Sequence, residues 1–181
     1  VFLKNLVHWT EEFVYSDYTE HYNIWTIFLP TIGIFLTVLY IKFFVKRNIS
    51  HGVGKVLAAI SKQRSVIDKS NTYTSVVSSS LTVGFGGSVG LEAPVVYTGA
   101  AIGSNFAQYF NLNFKLRTLL IACGCSAAIA GIFKAPIAAI IFSLEVLMID
   151  LTMWSIIPLL IASVTGALVS FFMMGENVTF S

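Results

Sequence analysis

Apolar residues along this 181-residue chain fall into runs whose length predicts helices in a membrane. Two runs, Ile24–Phe44 and Leu151–Gly175, reach the roughly 20 apolar residues that a helix needs to cross the hydrocarbon core. Trp25 and Tyr40 lie near the ends of the first run, where aromatic side chains anchor a span at the membrane interface. The pattern therefore predicts a membrane helix over each run.

The remaining apolar segments are too short, too polar or too broken to be simple spans. Gly52–Arg64 is amphipathic and predicts a peripheral or re-entrant segment, and the Ser- and Thr-rich stretch Thr72–Val83 predicts a helix packed inside protein. Gly99 and Gly103 are four residues apart, a spacing that lets helices approach closely. Further helices are predicted at Pro94–Phe110, Thr118–Phe133 and Ile137–Leu147, and a short polar connection is predicted at Asn111–Arg117. Together these segments predict an all-α membrane protein with broken and re-entrant helices.

Composition excludes an ordinary soluble domain, because 56% of residues are hydrophobic, 11% are charged and the mean hydropathy is +0.80, against roughly 25% charged residues in soluble chains. The net charge of +2 gives no electrostatic support for nucleic-acid binding. Seven of the eleven basic residues lie between Lys42 and Lys69, which predicts a cytoplasmic loop there and an external acidic segment before Ile24. Cys123 and Cys125 are two apart, which suits neither a zinc site nor a disulfide and predicts packing thiols.

The strongest candidate for chemistry is the stretch Gly84-Phe-Gly-Gly-Ser-Val-Gly-Leu-Glu-Ala-Pro94. Four of its first seven residues are glycine, and its Glu92 is the only charged residue from Ser70 to Phe114. Glycines permit sharp turns, and Pro94 suits the first turn of a helix. A carboxylate at membrane depth is costly and marks a functional site by default. We therefore predict that Glu92 lies at the positive end of a new helix and gates an anion site made of free backbone N–H groups.

Alternatives remain for several of these residues. Glu92 is alternatively a helix cap that only stabilises its helix, by about 0.3–1 kcal/mol. Gly86-Gly-Ser-Val-Gly90 also fits G-x-S-x-G, so the rival function is an intramembrane serine hydrolase with Ser88 as nucleophile and His51 as base. A transport-inert membrane scaffold is a third possibility. His51 is equally well explained as a solvated loop histidine, and Glu145 as a solvated helix end rather than part of an ion pathway.

At three motifs the chain resembles the CLC family of chloride channels and chloride/proton exchangers. Gly90-Leu-Glu-Ala-Pro94 is similar to the signature GREGP, Ser50-His-Gly-Val-Gly54 falls where the family has GSGIP, and Gly131–Glu145 resembles the helix-breaking FNAPLAGILF-E stretch. The resemblance runs from about Ile24 to Met174 and implies the first of the family's two inverted repeats. Residues 1–181 are thus expected to form a single transmembrane region, the N-terminal half of a CLC transport domain, with the second half absent.

The resemblance implies roles for individual residues. Glu92 matches the gating glutamate, and His51 takes the place of the serine that contacts the central chloride. Leu91 replaces the arginine of GREGP, and Ala93 replaces its second glycine. The implied anion-binding residues are His51, Gly52, Val53, Gly90, Leu91 and Ala93.

The inner glutamate that passes the proton on in exchangers falls at Val146, with Glu145 one residue before it. One residue turns a helix by about 100°, so Glu145 faces elsewhere unless the register slips by one residue, and Glu145 and Val146 are the candidate residues for a proton pathway. This favours a passive chloride channel, with a chloride/proton antiporter of the same family as the alternative. The resemblance also implies a homodimer through Ile137–Leu147 and Leu151–Met174. We further expect a multi-pass protein of a prokaryotic inner membrane that contacts lipid, carries chloride as substrate, and has no enzymatic activity, cofactor, metal or nucleic-acid partner.

Overall fold

The computed structural model describes residues 2–15, 28–45, 52–62, 64–147 and 153–174, and these ranges contain helices but no strand. Eight α-helices occur within the described ranges, and a π-helical segment, Ile41–Val45, continues the second of them. Their bounds are α1 Phe2–Tyr15, α2 Leu29–Tyr40, α3 Val53–Lys62, α4 Asn71–Gly84, α5 Glu92–Tyr109, α6 Phe114–Phe133, α7 Pro136–Leu147 and α8 Met153–Met174. The predicted all-α architecture is confirmed.

Two of the described helices are long and apolar enough to cross a membrane: Phe114–Phe133, which is α6, and Trp154–Met173 within α8. The second lies inside the predicted run Leu151–Gly175. The apolar helix Leu29–Phe43 is shorter, and residues 24–27 of the predicted span Ile24–Phe44 lie outside the described residues. The full length of that first span therefore stays a prediction.

Helix α6 begins four residues before its predicted start at Thr118. The Asn113 side chain explains this, because its Oδ1 accepts a hydrogen bond from the amide of Leu116 at 3.0 Å. Asparagine is among the best residues for capping a helix N-terminus in this way. The prediction of a polar connection over Asn111–Arg117 is therefore wrong for residues 114–117, which form the first turn of α6.

The closest helix packing joins α5 to α6. A methyl group at Gly103 would collide with the carbonyl oxygen of Leu120, and one at Gly99 with the carbonyl oxygen of Gly124. Both glycines of α5 are therefore needed for backbones to approach this closely, which confirms the predicted small-residue spacing. Cys125 is fully buried in the same cluster and forms no disulfide, as expected for a packing thiol.

The predicted break at Lys134-Ala-Pro136 is confirmed. Lys134 has a φ of 52°, in the left-handed region, which ends α6. Pro136 is the first residue of α7, where its fixed φ and missing N–H are tolerated. The Ser170 hydroxyl of α8 donates to the carbonyl of Gly131 at 2.5 Å and so satisfies one of the last carbonyls of α6. Helices α7 and α8 both pack on α6 and on each other.

Helix α4 is a polar helix enclosed by α1, α2 and α5. Ser75 and Ser80 are fully buried. The hydroxyls satisfy themselves within the helix, for example Ser79 Oγ to the Ser75 carbonyl at 2.7 Å and Ser80 Oγ to the Val76 carbonyl at 2.8 Å. The sequence expectation that this Ser- and Thr-rich segment packs inside protein is confirmed.

Candidate functional site

The glycine loop, residues 85–91, joins α4 to α5 and folds back on the end of α4. The amides of Gly86 and Gly87 donate to the carbonyls of Val83 and Thr82 at 2.8 and 2.9 Å. Gly86 has a φ of 84°, a conformation that favours glycine. A methyl group at Gly87 would lie 2.6 Å from the Thr82 carbonyl oxygen. Both residues therefore have to be glycine for the loop to take this course.

Helices α1 and α2 hold the beginning of this loop. A methyl group at Gly84, the last residue of α4, would collide with the side chain of Thr10 on α1. One at Gly33 of α2 would lie 2.5 Å from Cβ of Phe85. Because neither contact has room for another atom, the two helices fix the point at which the chain leaves α4.

Leu91 anchors the end of the loop. Its side chain is 8% exposed and lies in a small apolar cluster with Val7 of α1 and Val76 of α4, against which Val83 and Val95 pack. Leu91 also occupies the N-cap position of α5, the last residue before the helix. Its backbone carbonyl accepts a hydrogen bond from the amide of Val95 at 3.2 Å. Sequence reasoning noted this leucine only as a departure from GREGP. The sequence offers little signal for this role, because the loop also contains the apolar residues Phe85 and Val89.

Glu92 is the first residue of α5, and no side chain caps this end of the helix. Its side chain is exposed, and its carboxylate makes no hydrogen bond or ion pair with the residues that the structure describes. The carboxylate lies close to Gly90, since a methyl group there would be 2.5 Å from Glu92 Oε2. Glu92 therefore makes no capping hydrogen bond, and it stands in the first turn of a helix whose first N–H groups lack intrahelical partners. Both the gating role and the simple electrostatic stabilisation of the helix start stay predictions.

The start of α3 lies near the start of α5. Lys55, in the first turn of α3, has its ammonium nitrogen 5.9 Å from the ring centre of Tyr97, early in α5. Val56 and Val96, one from each helix, belong to the same buried cluster. Gly52, just before α3, has a φ of 110°, which explains the glycine at this position. The two helix starts predicted to bind anions thus belong to one packed unit.

The other predicted site residues that the structure describes lie on α3, α5 and α7. His51 lies outside the described residues. Val53 begins α3, and Ala93 is half-buried in the first turn of α5. On α7, Glu145 is exposed and Val146 is half-buried, and this helix packs on α6 and α8 with a smaller contact to α3. No group of three or more His, Cys, Asp or Glu suited to a metal ion occurs among the described residues.

Ser88 is exposed in the middle of the glycine loop and follows helix α4. A nucleophile elbow places its serine between a strand and a helix. The preceding helix therefore rules out that form of the serine-hydrolase interpretation.

Comparison with known proteins decides the family. The family model described as "Voltage gated chloride channel" matches residues 32–181, which is most of the chain. This chain belongs to the CLC family. Membership, together with the two candidate spans, places it among integral membrane proteins.

The CLC relatives that match are longer than this chain. A putative ClcB-like chloride channel protein of Ralstonia nicotianae is 28% identical over 145 residues, covering 78% of this chain and 34% of the relative. The voltage-gated ClC-type chloride channel ClcB of Yersinia pseudotuberculosis is 32% identical over 113 residues, covering 62% of this chain and 27% of the relative. The chain thus spans about a third or less of the length of these relatives.

Solved CLC structures share the fold. The crystal structure of a CLC-type fluoride/proton antiporter superposes with a TM-score of 0.78 at 28% identity, covering 97% of this chain and 43% of the antiporter. A slow cyanobacterial Cl⁻/H⁺ antiporter gives a TM-score of 0.77 at 18% identity, which supports the fold alone. The broken-helix CLC architecture predicted from the three motifs is confirmed.

Proposed function

We propose that this chain forms the first half of a CLC-type chloride pathway in which Glu92 is the gate. The start of α5 carries this proposal, because it has no side-chain cap and holds the Glu92 carboxylate without a hydrogen-bond partner among the described residues. Helix N-termini attract anions. A chloride ion and the carboxylate would compete for the same N–H groups, so the carboxylate must be protonated or move before chloride binds.

The anion-binding surface in this proposal is made of backbone at the starts of α3 and α5. The residues proposed to contribute to this surface are His51, Gly52, Val53, Gly90, Leu91 and Ala93. Chloride is the substrate, with no cofactor and no enzymatic step. In the complete protein a second half, corresponding to the other repeat, closes the pathway over the exposed face of Glu92.

Replacing Glu92 with glutamine in the full-length parent tests the gate. Glutamine resembles the protonated acid and carries no charge at any pH, so chloride flux into liposomes should lose its pH dependence and stay high at alkaline pH. Glu12→Gln is the matched control, because Glu12 is an exposed carboxylate on α1. A Glu92→Gln protein that keeps the wild-type pH dependence would remove Glu92 from the mechanism.

We propose passive chloride conduction rather than exchange. Val146 stands where exchangers in the family carry the inner acid, and the exposed Glu145 is one residue away on the helix and therefore points in a different direction. The second candidate is an anion/proton antiporter, which is what both similar solved structures are described as.

Proton coupling separates the two candidates. Liposomes holding the full-length parent are given a chloride gradient, and external pH is recorded in the absence of a proton gradient. A passive channel moves chloride without moving protons, whereas uphill proton movement would overturn the channel proposal. Repeating the measurement with fluoride establishes anion preference, because one similar structure is a fluoride/proton antiporter.

We also propose that the protein is a homodimer in a prokaryotic inner membrane. The outer faces of α7 and α8 are apolar and exposed, including Ile137 and Ile141 on α7 and Trp154 on α8. The bacterial relatives support the choice of membrane. Photobleaching of singly labelled protein in liposomes should give two steps per particle, and a single step throughout would exclude the dimer.

A further inference from the structure

Gly90 has a different reason to be glycine from its neighbours in the loop. Its φ is outside the left-handed region, since the described glycines with positive φ are Gly52 and Gly86. It is also exposed, so no packed backbone requires a small residue. Apart from its neighbours in the chain, a methyl group there would meet one group only, the Glu92 carboxylate, at 2.5 Å from Oε2 and 3.6 Å from Cδ.

The consequence of adding a methyl group is therefore specific. At Gly87 and Gly99 the added atom would press on backbone carbonyls, so the helices or the loop would have to shift. At Gly90 it would press on the tip of a flexible, exposed side chain, which can rotate away at little cost to the fold. The only part of the described structure that must move is the Glu92 carboxylate.

We infer that Gly90 is a positioning residue for the gate: its missing side chain leaves the space in which the Glu92 carboxylate rests when the pathway is closed. This inference rests on the proposed function of Glu92. It assigns the first glycine of Gly90-Leu-Glu-Ala-Pro94 a role beyond backbone flexibility. A side chain at position 90 displaces the closed carboxylate and leaves the helix start open to an anion.

Other charged groups do not account for the position of this carboxylate. The helices packed against α5 are α3, α4 and α6. Their charged and titratable side chains are Lys55, Lys62, Tyr73, Lys115, Arg117, Cys123 and Cys125. None of these is hydrogen-bonded or ion-paired to Glu92 in the described part of the chain. No charged partner therefore fixes the carboxylate, and the space beside Gly90 is open to it because position 90 has no side chain.

The test compares Gly90→Ala, Glu92→Gln and the double variant of the full-length parent, with chloride flux into liposomes measured across pH. Gly90→Ala should raise flux at alkaline pH by roughly fivefold or more, because the added methyl group would overlap the resting position of the Glu92 carboxylate, and steric overlap usually costs at least that factor. In the Glu92→Gln background the same change should alter flux by less than about twofold, within the usual error of additivity, because alanine keeps the backbone N–H that position 90 contributes to the proposed anion site. Gly131→Ala is the matched control, since its methyl would make only ordinary contacts of 3.5 Å or more.

Each outcome decides something different. A rise in the single variant that disappears in the double variant supports the inference, and flux in the double variant equal to that of Glu92→Gln shows that the fold is intact. Wild-type flux in Gly90→Ala, with pH dependence lost in Glu92→Gln, overturns the role of Gly90 and leaves the gate in place. An equal effect of Gly90→Ala in both backgrounds also overturns it, because the effect then does not act through the carboxylate. Unchanged pH dependence in Glu92→Gln overturns the proposed function itself.

Discussion

Replacing Leu91 with alanine tests whether an apolar anchor holds the start of α5. The side chain is 8% exposed in its cluster with Val7 and Val76, so truncation removes three carbons from a nearly closed apolar site. At about 0.8 kcal/mol per buried methylene the transfer loss is roughly 2.4 kcal/mol. Buried Leu→Ala changes cost about 2–5 kcal/mol once the cavity is included. We expect roughly 2–3 kcal/mol, because a cluster of so few side chains can partly collapse.

Hydrogen exchange of the full-length parent in detergent measures this loss where it occurs. Since 1.4 kcal/mol corresponds to a factor of ten, the amide of Val95, which donates to the Leu91 carbonyl, should exchange about 30- to 140-fold faster in Leu91→Ala. Amides at the buried centre of α6 should be unaffected. Val89→Ala is the control, because Val89 is 53% exposed in the same loop and surface changes usually stay within about 0.5 kcal/mol. Exchange rates for Leu91→Ala that match those of Val89→Ala would show that the cluster does not hold the helix start.

Two further substitutions test the scaffold beneath the loop. Gly103→Ala should lower the thermal unfolding temperature in detergent, because overpacking the contact between α5 and α6 costs about 1–3 kcal/mol. The control Gly131→Ala should not lower it. Equal unfolding temperatures for the two variants would contradict the close packing at Gly103. Ser170→Ala should cost about 0.5–1.5 kcal/mol by removing the hydrogen bond from the Ser170 hydroxyl to the carbonyl of Gly131. Ser170→Thr should retain most of that stability, and wild-type stability in Ser170→Ala would show that this hydrogen bond contributes nothing.

The features that sequence reasoning predicted correctly are those with local causes. The break between α6 and α7 follows from Lys134-Ala-Pro136, although the left-handed conformation of Lys134 was not predicted. The close approach of α5 and α6 follows from glycines one helical turn apart. Glu92 at the start of a helix follows from the glycine run before it and Pro94 after it. In each case the residues that carry the signal are neighbours in the chain.

The features that sequence reasoning missed are of two kinds. Some depend on contacts between distant segments, and one had a local capping residue whose signal was outweighed by nearby charged residues. The Phe85 contact with Gly33 and the Leu91 contact with Val7 join residues more than fifty positions apart. No periodicity in either segment indicates such a partner. The start of α6 had a local signal in Asn113, but the charges of Lys115 and Arg117 suggested a connection rather than a first helical turn.

A buried Leu91 next to an exposed Glu92 suggests how the proposed gate could be held without the arginine of the family signature. The leucine immobilises the backbone at the start of α5 by apolar packing, so it brings no cation or hydrogen-bond donor of its own to the anion site. Within the loop an arriving anion in the proposed pathway therefore meets backbone N–H groups, the exposed Ser88 hydroxyl and one carboxylate. In the proposed pathway, gating depends on where that carboxylate rests. We expect anion preference in that pathway to depend on groups on other segments as well, including position 51, where histidine replaces the small hydroxyl of serine.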